Sequence, residues 1–301
     1  MLYEPYTIEE VKKSAEQKLF TVISTFAGGG GSSTGYKMAG GNVLCVNEFV
    51  EAARETYLAN YEDTPMIPGD INSLSGIHFL DKTQIQYGDL DILDGSPPCS
   101  AFSIAGRREK GWGTEKKYSE DKKVKNVEDL FFEFIRVAND IHPKVIIGEN
   151  VKSIMFGKAK EYFNRIINGF QDIGYTAVGK SLNAADYGTP QARERCFFVA
   201  IRNDILAKTS LNFMTLESVY PEPTYTEHVS LYEAINDIHS DPKEIEELYE
   251  AVEKGFLSKW IPMLPKNPDR QVKGSEYHPN QSLFNLIRPC PNLPSPTITQ
   301  Q

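Results

Sequence analysis

Five short apolar runs constrain this chain more than any other feature: LFTVISTF (19–26), NVLCVNEF (42–49), LDILDG (90–95), PKVIIGEN (143–150) and RCFFVAIR (195–202). Each has the length of a buried strand and falls short of a buried helix. The stretches between them carry helical periodicity. Val127, Leu130, Phe131, Phe134, Ile135 and Ala138 share one helical face behind Asn126, a suitable N-cap. A second helix is predicted over about 158–172, and Thr7 and Glu10 are spaced as a capping box for a short leading helix. Strands alternating with helices imply α/β layers.

After about Asn203 this rhythm stops. Prolines cluster (Pro221, Pro223, Pro262, Pro265, Pro268, Pro289, Pro291, Pro294, Pro296), and one acidic helical stretch near Pro242 to Lys254 interrupts irregular sequence. The expectation is a layered domain over 1–205 and a smaller region over 206–301. The closing PSPTITQQ reads as an extended segment that ends without a closing helix or strand, as if cut inside its fold.

With 301 residues, 24% charged and 40% hydrophobic, the chain has material for a sizeable core. No run approaches the roughly eighteen apolar residues of a membrane helix, and MLYEPYTIEE lacks the basic start and apolar stretch of a signal peptide. The four cysteines, Cys45, Cys99, Cys196 and Cys290, form no CxxC pair, so neither a zinc ribbon nor a disulfide framework is indicated and a reducing, cytoplasmic setting is expected. The formal charge of -9 argues against a polyanionic partner, but it conceals a +4 stretch at 107–125 (RREKGWGTEKKYSEDKKVK) and -13 elsewhere. Poor in apolar residues, that stretch is expected to be a long mobile loop.

Chemistry concentrates at the ends of the predicted strands. Phe26-Ala-Gly-Gly-Gly-Gly-Ser-Ser-Thr-Gly35 follows the first strand, where glycines allow a sharp turn and close approach to a ligand. A G-x-G-x-x-G register fails, meeting Ser33 from Gly28 or Thr34 from Gly29, and no Gly-Lys-Ser/Thr follows to make a phosphate loop. Glu48 ends the second strand where acids accept hydrogen bonds from a ribose diol. Together these suit a nucleoside-containing cofactor, or a purely structural turn.

Gly95-Ser-Pro-Pro-Cys-Ser-Ala-Phe-Ser103 brings Cys99 past two stiffening prolines at a strand's carboxyl end. A lone cysteine is usually a small buried hydrophobe, but this position favours a presented thiol. In Ile147-Gly-Glu-Asn-Val151, Glu149 sits in apolar sequence, which is costly unless it has a task or a partner, and a desolvated carboxyl there could hold a proton near neutral pH. In Tyr187-Gly-Thr-Pro-Gln-Ala-Arg-Glu-Arg195, extended backbone would put Gln191, Arg193 and Arg195 on one face as neighbouring guanidinium forks, or leave a salt-bridged strand edge.

Four motifs in this order resemble the DNA cytosine-5 methyltransferase family: F-x-G-x-G-G (Phe26, Gly28, Gly30, Gly31), P-C-x-x-F-S (Pro98, Cys99, Phe102, Ser103), E-N-V (Glu149, Asn150, Val151) and Q-x-R-x-R (Gln191, Arg193, Arg195). Gly69-Asp-Ile71, Asp129-Leu-Phe-Phe132 and Ala185-Asp-Tyr-Gly188 match as well, so the resemblance runs through residues 19 to 202. It implies a Rossmann-like, doubly wound mixed sheet of the S-adenosylmethionine-dependent methyltransferase kind, with a smaller target-recognition domain. By the same resemblance Cys99 attacks C6 of a cytosine flipped out of duplex DNA, Glu149 holds N3 and the exocyclic amine, Arg195 contacts O2, and Arg193 contacts a phosphate or the active-site loop. The cofactor positions it implies are Phe26, Ala27, Gly28, Gly30, Gly31, Glu48, Phe49, Asp70, Ile71, Pro98 and Leu130, with no metal. Residues 107–125 would close over the extruded base.

The family's R-x-L-T-x-x-E segment and G-N-S/A-V helix do not follow the recognition region, and PSPTIT is similar to the segment that usually precedes them. The expectation is therefore a truncated chain, or half of a split enzyme whose partner chain carries the rest. Rival readings are a tRNA cytosine-5 methyltransferase on the same motifs, and a non-catalytic regulatory DNA-binding paralogue. The long region after the arginine strand and the absence of a Cys-Phe-Thr segment disfavour the first. Cys99, Glu149 and Arg195 together disfavour the second.

Overall fold

Side chains alternate along β1 (Thr21–Thr25), so Val22 and Ile23, both fully buried, enter different cores. The computed structural model describes residues 5–98, 116–119, 122–124, 130–239, 241–280 and 286–298. Around β1 the sheet is built from β2 (Asn42–Glu48), β3 (Met66–Pro68), β4 (Ile92–Gly95), β5 (Val145–Val151), β6 (Tyr175–Asn183) and β7 (Glu194–Arg202). Their order is β3-β2-β1-β4-β5-β7-β6. The strands from β3 to β5 run parallel and β7 pairs antiparallel with β5, making a mixed sheet.

Helices cover both faces. On one, α1 (Ile8–Ala15), α2 (Gly31–Met38) and α3 (Glu51–Asn60) pack Val11, Tyr36 and Tyr57 against Val22, Val43 and Val46. On the other, α4 (Gly76–Thr83), α5 (Leu130–Ile141) and α6 (Lys160–Asp172) bring Phe79, Phe134 and Phe170 onto Ile23, Leu93 and Ile146. Phe131 anchors this second core, meeting Phe134 at 5.8 Å and Phe198 at 5.2 Å between ring centroids, near edge-to-face. The predicted capping box is present: Thr7 Oγ1 accepts from Glu10 N–H, and Glu10 accepts from Thr7 N–H at 2.7 Å.

Contacts divide the chain into two units. One joins Tyr6–Ser181 to Arg195–Pro221 and holds the layered sheet; the other joins Leu182–Glu194 to the described residues from Glu222 on. The second is mostly irregular, with short helices at Leu231–Ile235 and Pro242–Lys254 and a two-residue antiparallel pairing of Val272–Lys273 with Ile287–Arg288. The PSPTIT segment does form a strand: Ser295–Pro296 pairs with Gln191–Ala192, and Thr297 Oγ1 donates to Ala192 O at 2.9 Å.

Two expectations change. Strands β3 and β6 join the five predicted ones: β3 spans only three residues, and β6 is mostly half-exposed and polar, so neither reads as an apolar run. Within 107–125, Lys116–Ser119 and Lys122–Val124 pair as an antiparallel ribbon, and the other residues of that stretch lie outside the described residues. Asn126 and Val127 also lie outside them, while α5 continues to Ile141. Among the described residues no helix is long and apolar enough to cross a membrane.

Candidate active site

Strand order reverses beside β1, whose neighbours are β2 and β4, and the carboxyl ends there open a crevice of the kind that holds ligands in parallel sheets. The turn after β1 is tight. Phe26 (φ 52), Gly28 (φ 55) and Gly30 (φ 98) all adopt left-handed backbone, which costs a non-glycine residue about 1–3 kcal/mol. Phe26 is held there by Ser96 Oγ, which donates to its carbonyl at 3.1 Å, and by Ala27 N–H bonding Asn47 O at 3.1 Å. α2 starts directly after this turn, at Gly31.

Glu48, only 7% exposed, fixes the turn from the next strand: Oε2 accepts from Gly28 N–H at 2.8 Å and Oε1 from Val50 N–H at 2.7 Å. Beside it, Asn47 Nδ2 donates to Ile67 O at 2.9 Å and Gly69 O at 3.0 Å, shaping the loop that carries Asp70. Asp70 Oδ1 caps the following turn by accepting from Asn72 N–H at 3.0 Å. Arg136 of α5 donates to Ile71 O at 3.0 Å and Leu74 O at 2.7 Å, tying that loop to the helix.

These segments enclose a cavity of about 210 Å³. Seven residues expected at a cofactor site line it: Phe26, Glu48, Phe49, Asp70, Ile71, Pro98 and Leu130. Asn47, Val50, Gly69 and Ser96 also line it and were not expected. Each lies next to an expected residue or inside one of the motifs, so adjacency was the available signal. Ala27, Gly28, Gly30 and Gly31 do not line the cavity; they build the turn behind it.

The next strand ends continue the site. β4 closes on Gly95, where a Cβ would meet Phe134 Cε2 at 2.6 Å and Thr25 Oγ1 at 2.7 Å, so only glycine fits. Ser96, Pro97 and Pro98 follow, and Cys99 lies outside the described residues. Asn150 on β5 reaches across, its Nδ2 donating to Pro97 O at 3.3 Å. Glu149 lies opposite Phe197 in the β5/β7 ladder, so Arg195, two residues away, shares its face and reaches it diagonally. Arg195 Nε meets Glu149 Oε1 at 3.1 Å, and the two side chains are 19% and 27% exposed. Glu149 is therefore half-buried and has a partner in Arg195. Arg193 lies between two separate strands, Gln191–Ala192 and Glu194–Arg202, so no single strand carries Gln191, Arg193 and Arg195 together. Arg193 falls in the second unit, its N–H bonded to Asn183 Oδ1 at 3.1 Å.

The family model for C-5 cytosine-specific DNA methylase matches residues 20–293. The Type II methyltransferase M.DdeI of Desulfomicrobium norvegicum is 34% identical over 259 residues, covering 84% of this chain and 55% of that protein. The chain belongs to the C-5 cytosine-specific DNA methylase family. M.FnuDI of Fusobacterium nucleatum, another Type II methyltransferase, is also 34% identical, over 66% of the chain and 50% of its own length. This methylase chain thus spans about half the length of these curated relatives. In fold it is similar to the Dnmt2 methyltransferase of S. pombe, with a TM-score of 0.54 at 18% identity over 82% of this chain and 67% of that one. Among the described residues of the methylase chain, no group of three or more His, Cys, Asp or Glu is arranged to hold a metal ion.

Proposed function

We propose that this chain carries the cofactor-binding and catalytic part of a cytoplasmic DNA cytosine-5 methyltransferase of the restriction-modification type, acting on duplex DNA, with residues 206–301 as its target-recognition region. What supports the reading above all is the crevice beside β1, where the turn tied by Glu48 and the strand end leading to Cys99 meet. The chemistry of the donors there suits S-adenosylmethionine: Phe26, Ile71, Pro98 and Leu130 offer apolar walls for an adenine, and Asp70 adds an acid. The two oxygens of Glu48 each hold one backbone N–H and keep a lone pair for a ribose diol. When bound, S-adenosylmethionine supplies an electrophilic methyl carbon.

The chain's own residues prepare the acceptor. The Cys99 thiolate forms a bond to C6 of a cytosine taken out of the stack, because a paired and stacked base is closed above its plane. The displaced electron pair enriches C5, with Glu149 bonding N3 and the exocyclic amine and Arg195 bonding O2. The ion pair with Arg195 orients Glu149 before the base arrives. After methylation, loss of the C5 proton returns the electron pair to the ring, breaks the C6–S bond and releases Cys99 as thiolate.

The test uses duplex DNA in which every cytosine is 5-fluorocytosine, which needs no knowledge of the target sequence. Fluorine cannot leave as a cation, so with S-adenosylmethionine a denaturant-resistant adduct should form and map to Cys99 by peptide mass spectrometry. Cys99→Ser should lose it, a hydroxyl being far less ionised than a thiol at neutral pH. An adduct elsewhere would overturn the assignment, and one formed only with fluorocytosine tRNA would give the substrate to the RNA reading.

A further inference from the structure

One buried acid at the crevice has no role in the chemistry above. Asp94, 6% exposed, precedes the last residue of β4 and gathers three hydroxyls. Ser24 Oγ and Ser32 Oγ both donate to Oδ2, at 2.6 and 2.7 Å, and Tyr36 OH donates to Oδ1 at 3.1 Å. The donors come from two elements. Ser24 lies within β1, beside β4 in the sheet, whereas Ser32 and Tyr36 stand four residues apart on one face of α2. α2 begins where the glycine turn ends, so whatever holds Ser32 holds the turn.

Burying a carboxyl is expensive unless its bonds are fully made, and the fully buried Ser24 hydroxyl would be orphaned without it, whereas Ser32 is exposed and Tyr36 half-buried. The expense buys no link needed for the sheet alone, since β1 and β4 already pair through their backbones from Val22↔Ile92 to Thr25↔Gly95. The bonds to Ser32 and Tyr36 do something the ladder does not: they lock a helix to the strand that leads into Ser96, Pro97 and Pro98. Ser96 closes the same circuit from the other side through Phe26 O.

We propose that Asp94 is a positioning residue, clamping the glycine turn of the cofactor crevice to the strand that presents the nucleophile. This rests on reading the crevice as the S-adenosylmethionine site. The geometry of the clamp matters more than its charge. An amide oxygen at Oδ2 accepts from both serines, and the amide nitrogen can donate to the Tyr36 oxygen, so Asn is a near-isosteric replacement and Ala is not.

Titration calorimetry with S-adenosylmethionine, steady-state kinetics and thermal melting on the same variants separate positioning from plain stability. Ser32→Ala should weaken S-adenosylmethionine binding and raise its KM by about tenfold, with kcat and the melting temperature little changed. Ser24→Ala, which removes the bond within the sheet, should lower the melting temperature and leave S-adenosylmethionine affinity within about twofold. Asp94→Ala should lose at least as much affinity as Ser32→Ala, and Asp94→Asn should recover most of it. Should Asp94→Ala fail to fold, the contrast between the two serines still decides. Wild-type affinity retained in Ser32→Ala, or equal losses of affinity in the two serine variants, would overturn the clamp alone. Wild-type protein that binds no S-adenosylmethionine would overturn the reading of the crevice and the clamp with it.

Discussion

Glu48 serves the turn before it serves any ligand, since one oxygen holds Gly28 N–H and the other Val50 N–H. Glu48→Ala should therefore cost twice, lowering the melting temperature and weakening S-adenosylmethionine binding by about 1.5–3 kcal/mol, readable by calorimetry. Glu48→Gln should do nearly as badly, because an amide nitrogen cannot accept from an N–H and one of the two backbone groups is left unpaired. Recovery of full affinity in Glu48→Gln would mean that the turn does not depend on this carboxylate. Cysteines give a second prediction. Burial pushes the Cys45 thiol up to about 12, and burial with the Glu149 carboxylate does the same for Cys196. Both are fully buried, and burial disfavours the thiolate of each. Iodoacetamide should leave both unmodified in native protein and label both after unfolding; native labelling of either would contradict the packing. The nucleophile assigned to Cys99 thus has no rival among these two.

At the scale of elements, Asp91 joins the starts of three strands. It accepts from Thr21 N–H at 2.8 Å and Thr21 Oγ1 at 2.9 Å at the first residue of β1, and from Lys144 Nζ at 2.7 Å just before β5. Burial pulls its carboxyl upward, but the Lys144 ammonium and the Thr21 donors outweigh that and hold it below the usual carboxylate value. A depressed folded pKa contributes stability that is complete above the unfolded value of about 3.9 and is lost as pH falls through the lower folded value. Urea midpoints across roughly pH 5 to 2.5 should fall more steeply for wild type than for Asp91→Asn. Parallel slopes would remove Asp91 from the acid response. These strand starts were legible because apolar runs that are buried on both faces announce themselves. Strand β6 was not, because in YTAVGKSLN only Tyr175 and Ala177 are buried and the other residues, a lysine and a glycine among them, are half-exposed, so no apolar run marks it. The clamp at Arg136 was hidden for another reason: its partners Ile71 O and Leu74 O are backbone atoms about sixty-five residues earlier, and side-chain patterns say nothing of carbonyls. The glycine turn, Glu48, Glu149 and Arg195 were legible in local motifs, whereas the Glu149–Arg195 ion pair joins two strands far apart in sequence, and Gln191–Ala192 pairs with Ser295–Pro296 about a hundred residues away.

The whole molecule carries a formal charge of -9, so binding to a polyanion has to rest on local surfaces. Lys116, Lys117, Lys122 and Lys123 stand on the antiparallel ribbon within the basic stretch. Replacing all four by Gln should lower the slope of log affinity for duplex DNA against log salt by as much as about three to four, measured by fluorescence anisotropy. An unchanged slope would move the phosphate contacts to other residues. The two contact-defined units are each assembled from separate stretches of chain, with passages at 5/6, 181/182, 194/195 and 221/222. Within the second, Asp186 O receives the N–H groups of Thr224 and Tyr225, both at 3.0 Å, and Gln191–Ala192 pairs with Ser295–Pro296. Recombination between relatives therefore meets an obstacle: a single crossover after Pro221 inherits Leu182–Glu194 from one parent and its partners from the other. Chimaeras exchanging both segments together should melt close to their parents, and single-crossover chimaeras well below them, so this unit would pass between lineages by paired exchanges instead of by one splice.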